Sequence, residues 1–185
     1  MSEYNYKFEQ KLIFLVGNIG SGKTTYVENI KNGYVIISRD KIRYMLGGGN
    51  YIFDPKLEPA IWLAELELFV NLLKTGVNII IDEVNCSPYM RSRYLNEALD
   101  IFSQFKYHIT AVVFPKISKK EAVRRRLSSP HGNFDQKTWE NVYDRFNKQY
   151  QEPSIIEGFN HIIWLKNQNG KFIIKKQIKG NNGYE

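Results

Sequence analysis

Residues 13–25 read IFLVGNIGSGKTT. Four apolar residues lead into three glycines, a lysine and two threonines. This is the order of a short buried strand, a loop of permissive backbone and the start of a helix. Gly17 to Thr24 satisfies G-x-x-x-x-G-K-[ST] in full. Glycine lacks Cβ and accepts positive φ, so the chain can wrap closely enough for its backbone N–H groups to solvate several negative charges. The amides of Gly17, Asn18, Ile19, Gly20, Ser21 and Gly22, with those of Lys23, Thr24 and Thr25 at the helix start, are the expected cradle. Lys23 supplies a full charge at the β/γ-phosphates, and the Thr24 hydroxyl suits Mg²⁺. The stretch predicts a nucleoside triphosphate ligand but leaves the fate of its γ-phosphate open.

Outward from this loop, short apolar runs alternate with helical patterns. KLIFLV (11–16), YVIIS (34–38), VNIIID (77–82), YHITAVVF (107–114) and HIIWL (161–165) read as strands. Helices are expected from Ser21 to Asn32, over 60–74, from Pro88 to about Phe102, in SKKEAVRRRL, and through Trp139, Val142, Tyr143, Phe146 and Tyr150. MLGGGNYIFDPKLEP, with three successive glycines and two prolines, reads as a loop, and Gly76 as the close of the helix before it. Asn169-Gly170 predicts a hairpin into KFIIKKQI. The pattern predicts an α/β fold: a five-stranded parallel sheet covered by helices on both faces, plus a C-terminal hairpin strand.

The 185 residues, 43% of them hydrophobic, suffice for one core, so 1–185 is read as a single domain. One cysteine, Cys86, excludes an internal disulfide framework and suits a reducing compartment. No apolar run approaches a membrane span and the N-terminus lacks a signal-peptide pattern, so a cytoplasmic location is expected. The +7 net charge is concentrated in Lys116–Arg126 and Lys166–Lys179. Such clusters serve nucleic acid or nucleotide phosphates, or are simply solvated. His108, His131 and His161 are scattered, and with one cysteine they form no metal cage.

Two acids follow strands. Asp40 and Arg43 stand three residues apart just beyond the second strand, where loops of an open parallel sheet converge on a ligand. Asp40 could accept the proton of an attacking hydroxyl and Arg43 could hold an anionic group of the acceptor, or the two could be a helix cap and its partner. Asp82 ends the third strand, a usual place for a carboxylate working near Mg²⁺, and Glu83 beside it keeps a water-activating ATPase in view.

Together these residues resemble the P-loop polynucleotide 5′-hydroxyl kinases and, more loosely, the zeta-toxin-like small P-loop kinases. The matching pieces are GNIGSGKT, SRDKIR, D-x-x-N-x-x-P-x-x-R at Asp82, Asn85, Pro88 and Arg91, and E-G-F at Glu157, Gly158 and Phe159. The resemblance implies ATP- and Mg²⁺-dependent transfer of the γ-phosphoryl to the 5′-OH end of DNA or RNA. Lys23, Asp40 and a lid arginine would be catalytic, with Thr24 and Asp82 at the metal. Asp40, Arg43, Asn85 and Arg91 would meet the acceptor. The lid, about 124–135, departs from the family: Arg124, Arg125 and Arg126 are contiguous, with Arg125 the first choice. The alternatives are a P-loop kinase of a small acceptor, such as a nucleoside or nucleotide sugar, and an ATPase using Asp82 and Glu83. No phosphatase or ligase motif accompanies the kinase pattern.

Overall fold

A computed structural model of the chain describes residues 10–100, 107–129 and 134–180. Its elements are β1 (Gln10–Val16), α1 (Lys23–Ile30), β2 (Val35–Ile37), α2 (Arg39–Leu46), α3 (Glu58–Leu73), β3 (Ile79–Ile81), α4 (Pro88–Asp100), β4 (Tyr107–Val113), α5 (Lys119–Leu127), α6 (Gln136–Gln149), β5 (His161–Gln168) and β6 (Lys171–Lys179). Among the described residues the strands form one sheet in the order β2-β3-β1-β4-β5-β6. The first five run parallel and β6 returns antiparallel to β5. That is the five-stranded parallel sheet with a C-terminal hairpin that the sequence predicts. The hairpin turn has positive φ at both Asn169 (52°) and Gly170 (80°), the geometry that matches the right-handed twist of the strands.

The central strands β3, β1 and β4 are buried on both faces, which is why they are continuous apolar runs, whereas β6 at the edge is largely exposed. Leu12, Phe14 and Val16 alternate onto the side covered by α3 and α4, where they meet Phe69, Leu73, Tyr94 and Phe159. Leu15 and its neighbours pack on the other face against Val27 of α1, with Phe114 and Leu165. A third, smaller cluster joins α5 to α6 through Ala122, Val123 and Trp139, and Ile19 from the glycine loop lies inside it.

Element ends differ from the sequence expectation in two places that matter for the site. The loop expected from Met45 begins later, because α2 runs through Leu46. Helix α3 starts at Glu58, before the expected Ala60, with Pro59 in its first turn, where its missing N–H is harmless. The expected end of α4 at Phe102, and His131 with residues 130–133 of the lid, lie outside the described residues. Among the described residues no helix is long and apolar enough to cross a membrane.

Candidate active site

The glycine loop is held from beneath. Gly17 N–H donates to the Val84 carbonyl at 3.0 Å, which ties the loop to the segment after β3. Gly20 (φ 69°) and Gly22 (φ 98°) adopt the left-handed conformation, and a Cβ at Gly22 would come within 2.7 Å of the Phe172 ring on β6. Lys23 is buried, its Nζ donating to the carbonyls of Gly17 (2.7 Å) and Asn18 (3.0 Å). Burial pushes its pKa down to about 8, opposed by Asp82 and assisted by the charge of Arg126. A buried cation aimed at a ring of backbone groups is what a polyphosphate requires. Thr24 and Thr25 stand exposed at the opening of α1. Asn18 and Ile19 face the other way: Asn18 Nδ2 donates to the Tyr143 carbonyl at 3.0 Å, and Ile19 enters the α5–α6 cluster.

Asp82 leaves β3 with its N–H on the Ile37 carbonyl, and burial raises its carboxyl to about 6, with Lys23 pulling it back. The Thr24 hydroxyl and the Asp82 carboxylate are a donor set that fits Mg²⁺, which takes one or two protein oxygens and leaves the rest to phosphates and water. The described residues contain no group of three or more acidic, histidine or cysteine side chains that could hold a metal ion.

Across the crevice, Ser38 precedes α2 in extended conformation and Asp40 lies in the first turn of that helix. The charge of Asp40 reaches both Lys23 and Asp82, so the three share one electrostatic environment. Its Oδ1 accepts from Arg43 Nη1 at 2.6 Å and from the Tyr51 hydroxyl at 3.2 Å. The predicted i,i+3 pair is present, but the role expected of Arg43 changes. Arg43 Nε and Nη2 donate to the two oxygens of Glu58 at 2.9 and 2.7 Å. With its fork on Glu58 and its remaining nitrogen on Asp40, the buried guanidinium is not presented for a bidentate grip on an acceptor phosphate. It orients Asp40 instead.

Asn85 and Arg91 are also turned inward. Asn85 is 1% exposed, and its Nδ2 donates to the Leu15 carbonyl at 3.0 Å. Arg91 is fully buried, paired with both oxygens of Glu157 at 2.7 and 2.8 Å and bonded to the carbonyls of Asn85 and Gln151. As an acceptor ligand Arg91 is therefore corrected to a structural residue: it ties α4 to the E-G-F turn. Glu83 is also engaged by protein groups: one oxygen accepts the Arg39 N–H at 2.8 Å and the other the Arg39 side chain. Behind this pair lies Glu65, fully buried, its Oε2 accepting from the Tyr94 hydroxyl at 2.6 Å.

The three contiguous arginines of α5 separate by environment. Arg124 turns back onto Glu121. Arg125 bridges Glu121 and the Gly20 carbonyl, the latter at 2.9 Å. Arg126 lies 5.2 Å from the Trp139 ring centre, its Nε buried without a hydrogen-bond partner, and its charge bears on both Lys23 and Tyr51. Of the three, Arg126 is the one whose charge is felt at Lys23 and Tyr51.

Sequence reading missed Glu58, Tyr51 and Glu65, and among the three lid arginines it put Arg125 before Arg126. For Glu65 a signal existed: Ile61, Glu65, Phe69 and Leu73 share one i,i+4 row, a carboxylate within a buried stripe. Glu58 and Tyr51 reach Asp40 and Arg43 across the loop that holds Gly47, Gly48 and Gly49, and no local pattern announces that.

A family model described as an AAA domain matches residues 12–153. Among curated proteins none matches. Among solved structures, the Pnkp1/Rnl/Hen1 RNA repair complex is 25% identical, with a TM-score of 0.52, over 81% of this chain and 49% of that one, so the chain spans about half its length. A fungal RNA kinase (20% identical, TM-score 0.51, 89% and 78% coverage) shares the fold. So does a structure from the PezAT toxin–antitoxin system of Streptococcus pneumoniae (13% identical, TM-score 0.56, 91% and 71%).

Proposed function

Because the chain belongs to the AAA domain family and has the fold of a P-loop kinase, we propose that it transfers the γ-phosphoryl of ATP to the 5′-OH end of a nucleic acid strand. The observation that carries this reading is the Asp40 carboxylate, held by Arg43 and Tyr51 in the field of Lys23 and Asp82. A hydrolase has no need of a second-strand acid fixed in this way, and the acid it would use, Glu83, is bound to Arg39. The nucleic acid acceptor is supported by the 25% identity to the RNA repair complex and by the ordered motifs around Asp40 and Asp82.

In this mechanism the glycine-loop amides and Lys23 hold the β- and γ-phosphates. Thr24 and Asp82 would hold Mg²⁺, which would supply further charge neutralisation on those phosphates. Asp40 takes the proton of the 5′-OH as the acceptor oxygen forms its bond to phosphorus and the bond to the ADP oxygen breaks. Arg43 fixes the carboxylate's direction, and Arg126, whose charge is felt at Lys23, would add positive charge near the transferring phosphoryl. Most of the rate enhancement then comes from positioning and preset charge.

The test uses γ-labelled ATP with a 5′-OH oligonucleotide, with nucleosides and sugars, and with no acceptor. Label on the oligonucleotide, lost in Lys23→Ala and lowered about 10²–10⁴-fold in Asp40→Asn while ATP still binds, is the expected result. Transfer only to a small acceptor would replace the polynucleotide reading, and rapid phosphate release without acceptor would replace the kinase reading.

A further inference from the structure

The fold treats the two basic segments of the chain differently. Of the six cations in Lys116–Arg126, three are ion-paired: Lys119 with Asp144, and Arg124 and Arg125 with Glu121. The β5–β6 hairpin, His161–Lys179, holds five lysines and no acid. All five are exposed, and none makes an ion pair among the described residues.

The strand register sorts these lysines. Lys176 stands opposite Trp164, Ile173 opposite Lys166, and Lys171 opposite Gln168. Directly paired residues share a face and successive residues alternate, so Trp164, Lys166, Lys171 and Lys176 lie on one side of the hairpin. Lys171 and Lys176 are five positions apart and share that side because the irregularity at Trp164 and Leu165 leaves Lys175 unpaired between them. Lys176 Nζ lies 4.9 Å from the centre of the Trp164 ring. Lysines on an edge strand commonly guard it against pairing, but Lys166 belongs to β5, the inner strand, where there is no edge to guard.

Trp164 packs against the cluster shared by α3 and α4, so this face is the one opposite α1. Strand β5 runs parallel to β4, and β4 to β1, which puts the end of β5 and the hairpin turn at the end of the sheet where the glycine loop begins. Strand β2, which leads into Asp40, lies five places from β6, about 24 Å at the usual spacing of strands. A stacked strand advances about 3.4 Å per nucleotide, so one whose 5′-OH meets Asp40 would reach the hairpin after about seven nucleotides.

We propose that this face of the hairpin is a second contact for nucleic acid, holding backbone phosphates of the acceptor strand several nucleotides from its 5′ end. Unpaired lysines on one face complement a row of phosphates, and such contacts position a strand without reading its sequence. The inference rests on the polynucleotide reading above and adds to it a surface remote from Asp40. It also supplies an acceptor anchor that Arg43, fastened to Glu58, does not provide.

The experiment measures kcat and KM for 5′-OH trinucleotides and for sixteen-nucleotide strands across a range of salt, with wild type and with Lys166→Gln, Lys171→Gln and Lys176→Gln combined. A trinucleotide is too short to span from Asp40 to the hairpin. Wild type should show the lower KM on the long strand, and that advantage should fade as salt rises. Each phosphate contact on a single strand contributes about 0.7 to the slope of log KM against log salt, so the triple variant's slope on the long strand should fall by about 2. Its KM on that strand should rise toward the trinucleotide value. Its kcat, its KM for ATP and its KM for the trinucleotide should match wild type, which also shows that it is folded. Equal KM values for the two lengths in wild type would overturn the surface while leaving the kinase reading standing. So would a variant that keeps the wild-type slope, whether monomeric or self-associated through β6, and a raised KM for ATP would assign the lysines to the nucleotide instead. Transfer to small acceptors but to no strand would overturn the polynucleotide reading, and this surface with it.

Discussion

Arg43 grips Glu58 with two nitrogens of its guanidinium, at 2.9 and 2.7 Å, and offers Asp40 only the third. A planar fork on a carboxylate is a rigid mount, so the Asp40 carboxylate inherits its direction from Glu58, the first residue of α3. Glu58→Gln should lower kcat substantially, since an angstrom of misplacement can cost about 10²-fold, while KM for ATP holds. Arg43→Ala should lower transfer to nucleosides and nucleoside 3′-phosphates by the same factor. A loss confined to the 3′-phosphate acceptor would return Arg43 to the role of phosphate sensor.

The arginines of α5 provide a second test. Arg126 is the one whose charge reaches Lys23 and Tyr51, whereas Arg125 is spent on Glu121 and the Gly20 carbonyl. Arg126→Ala should cost about 10³-fold or more in kcat, as loss of a phosphoryl-facing arginine does. Arg125→Ala should cost far less. The reverse order would show that Arg125 swings onto the phosphate once nucleotide binds.

Arg91 should behave as a scaffold. Its fully buried charge is balanced by Glu157, and removal of one partner of such a pair typically costs about 3–5 kcal/mol. Arg91→Ala is therefore expected to unfold at much lower denaturant concentration, with the remaining folded protein turning over at near the normal kcat. An equally stable variant with weakened acceptor binding would place Arg91 at the substrate after all.

Glu65 makes stability depend on pH. Burial, with the neighbouring charge of Glu83, pushes its carboxyl up to about 8 from an ordinary 4.5. Between those values the folded chain keeps a proton that the unfolded chain has released, so this contribution to stability falls as pH rises through the window. Glu65→Gln is neutral throughout and should lack that slope. Thermal midpoints at about pH 5 and about pH 8 decide it: wild type drops more than the variant, and parallel curves would mean that Glu65 is ionised in the fold.

The parts of this molecule legible in its sequence are those written locally. The glycine loop, the alternation of strands and helices, and the Asp40–Arg43 pair depend on residues within a few positions of one another. So does the Trp139, Val142, Tyr143 and Phe146 face of α6. What escaped was long-range pairing. Arg91 meets Glu157 across 66 positions, and both lie in motifs that resemble a kinase family, so Arg91 suggested a ligand contact where the fold supplies a partner. Arg43 and Glu58 are separated by a glycine-rich loop whose path no local propensity fixes. Trp62 fits the helical stripe of α3 as a core residue, yet its ring is only partly buried and serves two guanidiniums. Sequence periodicity reports which face is covered, but not whether carbon or cation covers it.

Ile19 lies 2% exposed among Ala122, Val123 and Trp139, and Asn18 is bonded to the Tyr143 carbonyl. The hydrophobic cluster of α5 and α6 is thus incomplete without a residue of the loop that receives ATP, and burial of such a side chain is worth about 1.5–3 kcal/mol. The loop and the two helices should therefore open and close as one cooperative unit. ATP, by holding the loop, should slow amide hydrogen exchange along α6, including amides far from the phosphates, and Ile19→Ala should weaken that protection more than it weakens nucleotide affinity. Exchange in α6 that ignores ATP would mean that the two fluctuate independently.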